Sequence, residues 1–480
     1  MRVALPLHGP LSVLPLGLLL GLLLGLLLPA CRVPSAPEPA QPPNIVLILA
    51  DDLGYGDLGC YGQTKILTPH LDALAATGVR WTQAYSAAPV CAPSRCAILT
   101  GRHMGHAAIR DNHELKPEGQ QALPGGEITL AELLKTRGYA TAGVGKWGLG
   151  PPGSEGDPLR QGFDHFYGYW CQRHAHSHYP TYLYDDGRRV ELPGNDPKAT
   201  ASAQYAPDLF LERAVRFLDE VKDQPFFLYY ATTVPHVALQ VPEDSLAEYR
   251  GRFDDQPYDG KQGYIPHPTP RAAYAAMITR LDRDVGRLRE ELGRRGMLEN
   301  TLIVFTSDNG PTWAGGVDQR FFASAGGLRG QKNQLYEGGV RVPLILNWPA
   351  RLTTAGTCTQ PVAGWDLFPT LAQAASVPSI PVHDGQDLLG ACDAKAEREL
   401  YFEHATGGWQ ALRMGDWKAL RRNAIRDPAA PVELYNLAED PAESHDRAAE
   451  QPELVQRALA RFASRTGALL PQWDFPAPAR

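Results

Sequence analysis

The sequence has no Cys-x-x-Cys pair, no internal repeat and no cluster of basic residues at either end. The first absence leaves no zinc knuckle and no dithiol redox motif. The second excludes a solenoid or propeller. The third, with a formal net charge of -7, argues against nucleic acid as a partner, because phosphate contacts need clustered Lys and Arg. A negative chain can bind an anion only through a locally positive pocket. The rest is globular in character. Of 480 residues, 44% are hydrophobic and 21% charged, enough for one large core and a smaller one.

The N-terminus reads as an export signal rather than as fold. Met1-Arg2 is a short basic start, and Leu11 to Leu28 is almost purely Leu, Gly and Pro. Leu28-Pro29-Ala30-Cys31 resembles the lipobox of bacterial lipoproteins, with Pro29 an imperfect fit, which makes Cys31 a candidate lipid anchor. An uncleaved anchor helix is the competing reading. The expected organisation is a signal peptide over 1–31, a Pro-rich tether over 32–43, a catalytic domain over 44–395 and a small α+β part over 396–480. The expected location is periplasmic, outer-membrane lipoprotein or secreted. Six further Cys remain, and export permits disulfides. Their pairing stays open, with Cys358–Cys392 one conceivable pair.

Periodicity predicts an α/β fold with a large, mainly parallel or mixed sheet sandwiched by helices. Asn44 to Ala50 and Thr301 to Ser307 are continuous apolar runs, as in strands buried on both faces. Tyr139 to Gly145 and Pro225 to Thr232 read as further strands. Thr129 to Glu132 looks like a capping box opening a helix that stops near Gly138. Pro207 to Lys222, Ala272 to Arg295 and Asp366 to Ala375 read as helices. After about residue 396 the pattern changes to a small antiparallel sheet: a strand over Glu399–His404, a hairpin turning at Gly415-Asp416, and a helix over Pro452–Leu469.

Asp51-Asp52 and Asp308-Asn309 each follow a predicted strand, where open α/β sheets place ligands. Adjacent carboxylates do not easily stay ionised together without a cation. Four hard oxygen donors favour Ca2+, or Mg2+, over zinc.

Cys91-Ala92-Pro93-Ser94-Arg95, followed by a hydrophobic stretch and Thr100-Gly101-Arg102, resembles the signature of type I sulfatases. Further blocks match in the family's order: Asn44 to Gly59, Gly145-Lys146-Trp147-Gly148-Leu149-Gly150, Pro235-His236, Asp308-Asn309-Gly310, Gly327 to Lys332, Glu337 to Pro343, and Leu434 to Pro441. The resemblance implies an alkaline-phosphatase-like fold. It implies a Cys91 that a maturation enzyme oxidises to Cα-formylglycine, and one metal ion held by Asp51, Asp52, Asp308, Asn309 and the modified Cys91. Sulfate hydrolysis needs a strong nucleophile, charge neutralisation and an exit route. A hydrated aldehyde offers one hydroxyl to attack sulfur and a second whose deprotonation expels sulfate. By the same resemblance Arg95 stabilises the diol, Lys146 and Lys332 contact sulfate oxygens, and His236 stands near the leaving oxygen.

The chain departs from the family at Gly148, where the commonest signature has a His that frees the bound sulfate. His174 and His176 are the candidates to replace it, since they share one face if their segment is extended. Two other readings compete: a phosphate or phosphonate ester hydrolase of the same superfamily, and an inactive binder of sulfated glycans. The expected substrate is an aryl or carbohydrate sulfate. The aromatic stretch His174 to Tyr184 is a candidate pocket wall, with Trp313 and the Trp409 loop behind it.

Overall fold

The computed structural model describes residues 41–478, except 117, 222–223, 391 and 393–397. The export segment, Cys31 and the tether up to residue 40 lie outside the described residues.

The main domain contributes, in chain order, β1 (Asn44–Asp51), β2 (Val79–Trp81), β3 (Ala84–Tyr85), β4 (Ala140–Lys146), β5 (His165–Tyr169) and β6 (Tyr182–Asp185). It continues with β7 (Arg188–Glu191), β8 (Phe226–Pro235), β9 (Thr301–Ser307), β10 (Leu344–Asn347), β11 (Gly356–Cys358) and β12 (Val362–Ala363). Ten of these form one sheet in the order β11-β2-β10-β9-β1-β8-β4-β5-β6-β7. The middle five, β9-β1-β8-β4-β5, are mutually parallel, and β10, β6 and β7 add antiparallel pairings outside them.

Strand alternation divides the core. Ile45, Leu47 and Leu49 of β1 pack on one face, and Val46, Ile48 and Ala50 on the other. The helices over Ala206–Glu220 and Pro270–Arg294 cover the second face, placing Phe210, Phe217, Met277, Leu281, Val285, Leu288 and Leu292 in its core. Those over Cys91–Thr100, Leu130–Lys135 and Leu367–Ala374 cover the first. The expected capping box is formed in both directions at Thr129 and Glu132. The chain ends in β13 (Glu399–His404), β14 (Trp409–Met414), β15 (Trp417–Arg421) and β16 (Val432–Asn436), an antiparallel sheet on which Ala458 and Phe462 of the final long helix pack.

Three expectations change. The last helix spans Pro452–Ala463 and does not reach Leu469. The Thr466 N–H donates to Gly105 O, and Arg110 grips Thr466 and Gly467, so tertiary bonds draw the chain off the helical path. The strand expected over Pro225–Thr232 continues to Pro235, because Pro235 pairs with Asp51 at the end of β1. The segment bearing His174 and His176 is a 3-10 helix rather than an extended strand.

Candidate active site

Parallel register brings the chemistry to one sheet edge. Ala50 of β1 lies beside Ser307 of β9, Asp51 beside Pro235 of β8, and Gly145 of β4 beside Ala231. The next residues along these strands are Asp52, Asp308, His236 and Lys146, all buried. They emerge at the carboxyl ends of neighbouring parallel strands, the usual ligand position of such sheets. Cys91 joins them as the first residue of the Cys91–Thr100 helix.

The acidic turns lock each other. The Asp52 N–H donates to Asp308 Oδ1 at 3.2 Å, and Asn309 Nδ2 donates to Asp52 Oδ1 at 2.7 Å. Ser307 Oγ accepts from Leu53 N–H at 3.0 Å and donates to Asn309 O at 3.0 Å. Asp52 has φ 65°, a left-handed conformation that Asp tolerates better than most residues. Asp51, Asp52, Asp308 and Asn309 are each at most 1% exposed.

Three cations face the three carboxylates. Arg95 donates through Nε and Nη2 to Asp308 Oδ2 at 3.1 and 2.8 Å, and through Nη1 to Lys146 O at 2.6 Å. Lys146 Nζ lies 2.7 Å from Asp51 Oδ2. Lys332 Nζ reaches Asp52 Oδ2 at 2.8 Å and Cys91 Sγ at 3.5 Å, and Cys91 Sγ is 3.5 Å from Asp51 Oδ1. Arg95 thus orients the acid Asp308, and its Nη2 also lies 3.5 Å from Asp51 Oδ2.

Burial and these partners set the protonation. Burial alone would raise the Asp51 carboxyl, but Lys146, His236 and Arg95 together hold it far below the usual range. Asp308 is pushed up to about 6, by burial and then by Asp51. Burial lifts the Cys91 thiol to about 12 against the pull of Lys146 and Lys332. Burial and Lys332 lower His236 well below its ordinary value. Its Nδ1 contacts Val237 O at 2.5 Å, which leaves Nε2 turned toward Asp52 Oδ2, 3.7 Å away.

The two histidine candidates separate. His176 stacks on His236 with ring centroids 5.0 Å apart, and Tyr264 lies 5.3 Å from His176. Burial, then His236, lowers His176 below its ordinary value, so its ring is neutral. His174 instead packs on Tyr182 at 4.2 Å and stands 3.5 Å from Glu118, away from the acidic cluster. A tight helical turn sends residues two apart to different faces, whereas a strand would keep them on one. Thr233 and Tyr264 stand beside these histidines and were not singled out from sequence, whereas His178 was covered only by the candidate wall His174 to Tyr184. His178 holds His236 O through Nε2 at 2.8 Å and Thr233 Oγ1 through Nδ1 at 3.0 Å. The sequence signal for it was its place two residues beyond His176.

A model of the family described as Sulfatase matches residues 43–377. Arylsulfatase A of Homo sapiens is 35% identical over 470 residues, covering 87% of this chain and 86% of its own. The chain belongs to the sulfatase family. This sulfatase is also 28% identical over 493 residues to the N-acetylgalactosamine-6-O-sulfatase of Bacteroides thetaiotaomicron, covering 87% of this chain and 92% of that one. The solved structure of Ps i-CgsB in complex with k-i-k-neocarrahexaose superposes with TM-score 0.74 at 29% identity, covering 92% of this chain and 94% of its own. A phosphonate monoester hydrolase of Agrobacterium radiobacter shares the fold alone, at 20% identity and TM-score 0.60. The sulfatase is a sulfuric ester hydrolase, with a mixed α/β architecture of the alkaline-phosphatase type.

Proposed function

We propose that this enzyme removes sulfate from sulfated carbohydrates, using a Cα-formylglycine made from Cys91 and one Ca2+ held by Asp51, Asp52, Asp308 and Asn309. The observation that carries this reading is the buried meeting of Cys91 with those four oxygen donors and three cations. The donor set fits a hard cation. Asn309 Oδ1 is buried without a hydrogen-bond partner among the described residues, although its Nδ2 is fully engaged, so that oxygen is available to ligate. Asp51, Asp52, Cys91 and His236 bring one donor atom each to within 4.8 Å of one another, which fits a small ion at their centre. When present, the formylglycine supplies an oxygen nucleophile and the ion supplies Lewis-acid charge.

The remaining work falls to the chain. Lys146 and Lys332 hold the sulfate oxygens and stabilise charge that grows during reaction. Arg95 fixes Asp308 and, through Lys146 O, the end of β4. His236, whose backbone oxygen is held by His178, turns Nε2 into the pocket beside the leaving oxygen. His176, neutral and stacked beside it, is the candidate acceptor for the proton released when sulfate departs. Tyr264, beside His176 and His236, offers a ring on which a sugar can stack. The carbohydrate reading draws on the N-acetylgalactosamine-6-O-sulfatase and the neocarrahexaose complex among the similar proteins. A maturation enzyme that oxidises Cys91, and export with Cys31 as a lipid anchor, belong to the same proposal. The Cys358–Cys392 disulfide supports an oxidising location.

The test combines mass spectrometry of the Cys91 peptide with turnover of 4-nitrophenyl sulfate and of a sulfated galactose disaccharide. Matured protein should carry the aldehyde and turn over both. Lys146→Ala should lower kcat by about 10²–10³. Full activity with only unmodified Cys91 would overturn the proposal.

A further inference from the structure

Gly148 and the residue opposite it have no role in the reading above. Gly148 lies two residues past Lys146, and its N–H donates to Trp170 O at 3.2 Å, extending the pairing of β4 with β5. Its φ is 78°, in the left-handed region where glycine is at ease. A Cβ at this position would fall on the amide nitrogen of Gln172, closer than real Cβ atoms approach any neighbour. The space that a side chain at 148 would enter is therefore already filled, from the adjacent strand end, by Gln172.

Gln172 is 8% exposed, and its Nε2 is buried with no hydrogen-bond partner among the described residues. A buried amide donor left unpaired is costly, and in a native site it calls for a reason. Its surroundings supply one. On one side runs the segment leading back to Lys146, whose Nζ sits on Asp51. On the other, Gln172 opens the turn that delivers His176 onto His236, closed by Ala175 N–H to Cys171 O at 3.3 Å and His176 N–H to Arg173 O at 3.1 Å. The amide thus lies against the segment that follows Lys146 and at the start of the turn that carries His176.

We propose that Gln172 is a sulfate-contacting residue, its Nε2 donating to an oxygen of the sulfate ester from the place a side chain at position 148 would otherwise take. An amide neither accepts nor releases a proton near neutral pH, so it binds and orients without serving as a base. Glycine at 148 and glutamine at 172 are then one paired exchange. This inference rests on the reading of the pocket as the sulfate site.

The test uses matured, calcium-loaded enzyme and compares wild type with Gln172→Ala, Gln172→Asn and Gln172→Glu. The readouts are KM and kcat for 4-nitrophenyl sulfate, the Ki of inorganic sulfate, and the pH profile of kcat. Ala should raise the Ki about tenfold, as expected for losing a hydrogen bond to a charged group. Glu, nearly the same shape but negative, should raise it further, and Asn should fall between Ala and wild type. The pH profile should keep its wild-type limbs in Ala, because no titrating group is lost. A Ki within twofold of wild type in both Ala and Glu would make Gln172 a mere filler and overturn the proposal. Should Ala fail to fold, a wild-type Ki in Glu alone has the same force. Failure of the wild type to turn over any sulfate ester would instead overturn the sulfate-pocket reading, so the two failures are distinguishable.

Discussion

Lys332 meets Asp52 across 280 residues of sequence, and Asp308 meets Arg95 across 213. The identities of these residues were readable from motif blocks, because their chemistry is that of oxygen ligands and fixed cations. Their partners were not. Arg95 grips Asp308, a partner that its motif does not announce and that is set by where β9 ends. The histidines show the same limit. His174→Ala should leave kcat within about twofold of wild type, since that ring packs on Tyr182. His176→Ala should lower kcat by about 10²-fold or more, as loss of a proton-transfer group does. Steady-state kinetics on both variants decides it, and equal effects would undo the assignment. A second residue-scale prediction concerns Asp284, buried beneath Tyr230, whose hydroxyl donates to it at 3.1 Å. Burial, then Asp208, raises its carboxyl to about 8. Between the ordinary carboxylate value and pH 8, the native state therefore keeps a proton that the unfolded chain has released. Its contribution to stability is present at low pH and is lost as pH rises through that window. The Tm of Asp284→Asn relative to wild type should climb from pH 5 to pH 8, and a flat difference would refute this.

At the scale of elements, local chemistry was a good guide wherever it was self-contained. Thr129 accepts from Glu132 N–H at 3.2 Å while Glu132 accepts from Thr129 N–H at 2.8 Å, a helix start written in four residues. Thr129 Oγ1 also donates to Gln161 O at 2.7 Å. Thr129→Ala should cost about 1 to 2 kcal/mol in urea denaturation, with activity retained. The helix over Pro270–Arg294 was equally legible, because its apolar residues recur at helical spacing and all reach the core. Prediction failed where long-range bonds intervened. The final helix stops at Ala463 because the next segment binds Gly105 and Arg110, which no local pattern announces. The turn at His174–His176 was not legible, since histidine-rich runs carry no periodicity to separate an extended form from a helical one.

For the whole molecule, the four oxygen donors come from two chain segments more than 250 residues apart, so an ion bound there ties β1 to β9. Ligand that binds only the native state stabilises it by mass action, about 2.7 kcal/mol at one hundred times Kd. Thermal unfolding in chelator and in rising Ca2+ should show an increasing Tm, lost in Asp308→Ala. An unchanged Tm in the wild type would argue against the cation. The alternation of apolar runs with amphipathic stretches already determined the layered α/β architecture, because side-chain period and burial follow from residue order alone. The ordered motif blocks likewise determined the family and most residues of the pocket, since hard oxygen donors and fixed cations declare their chemistry as residue types. Only the tertiary structure decided which cation pairs with which acid, which histidine reaches the site, and that Gln172 fills the space over Gly148. Those are contacts between distant segments, set by strand register and by loop paths that packing selects, and no local pattern encodes them.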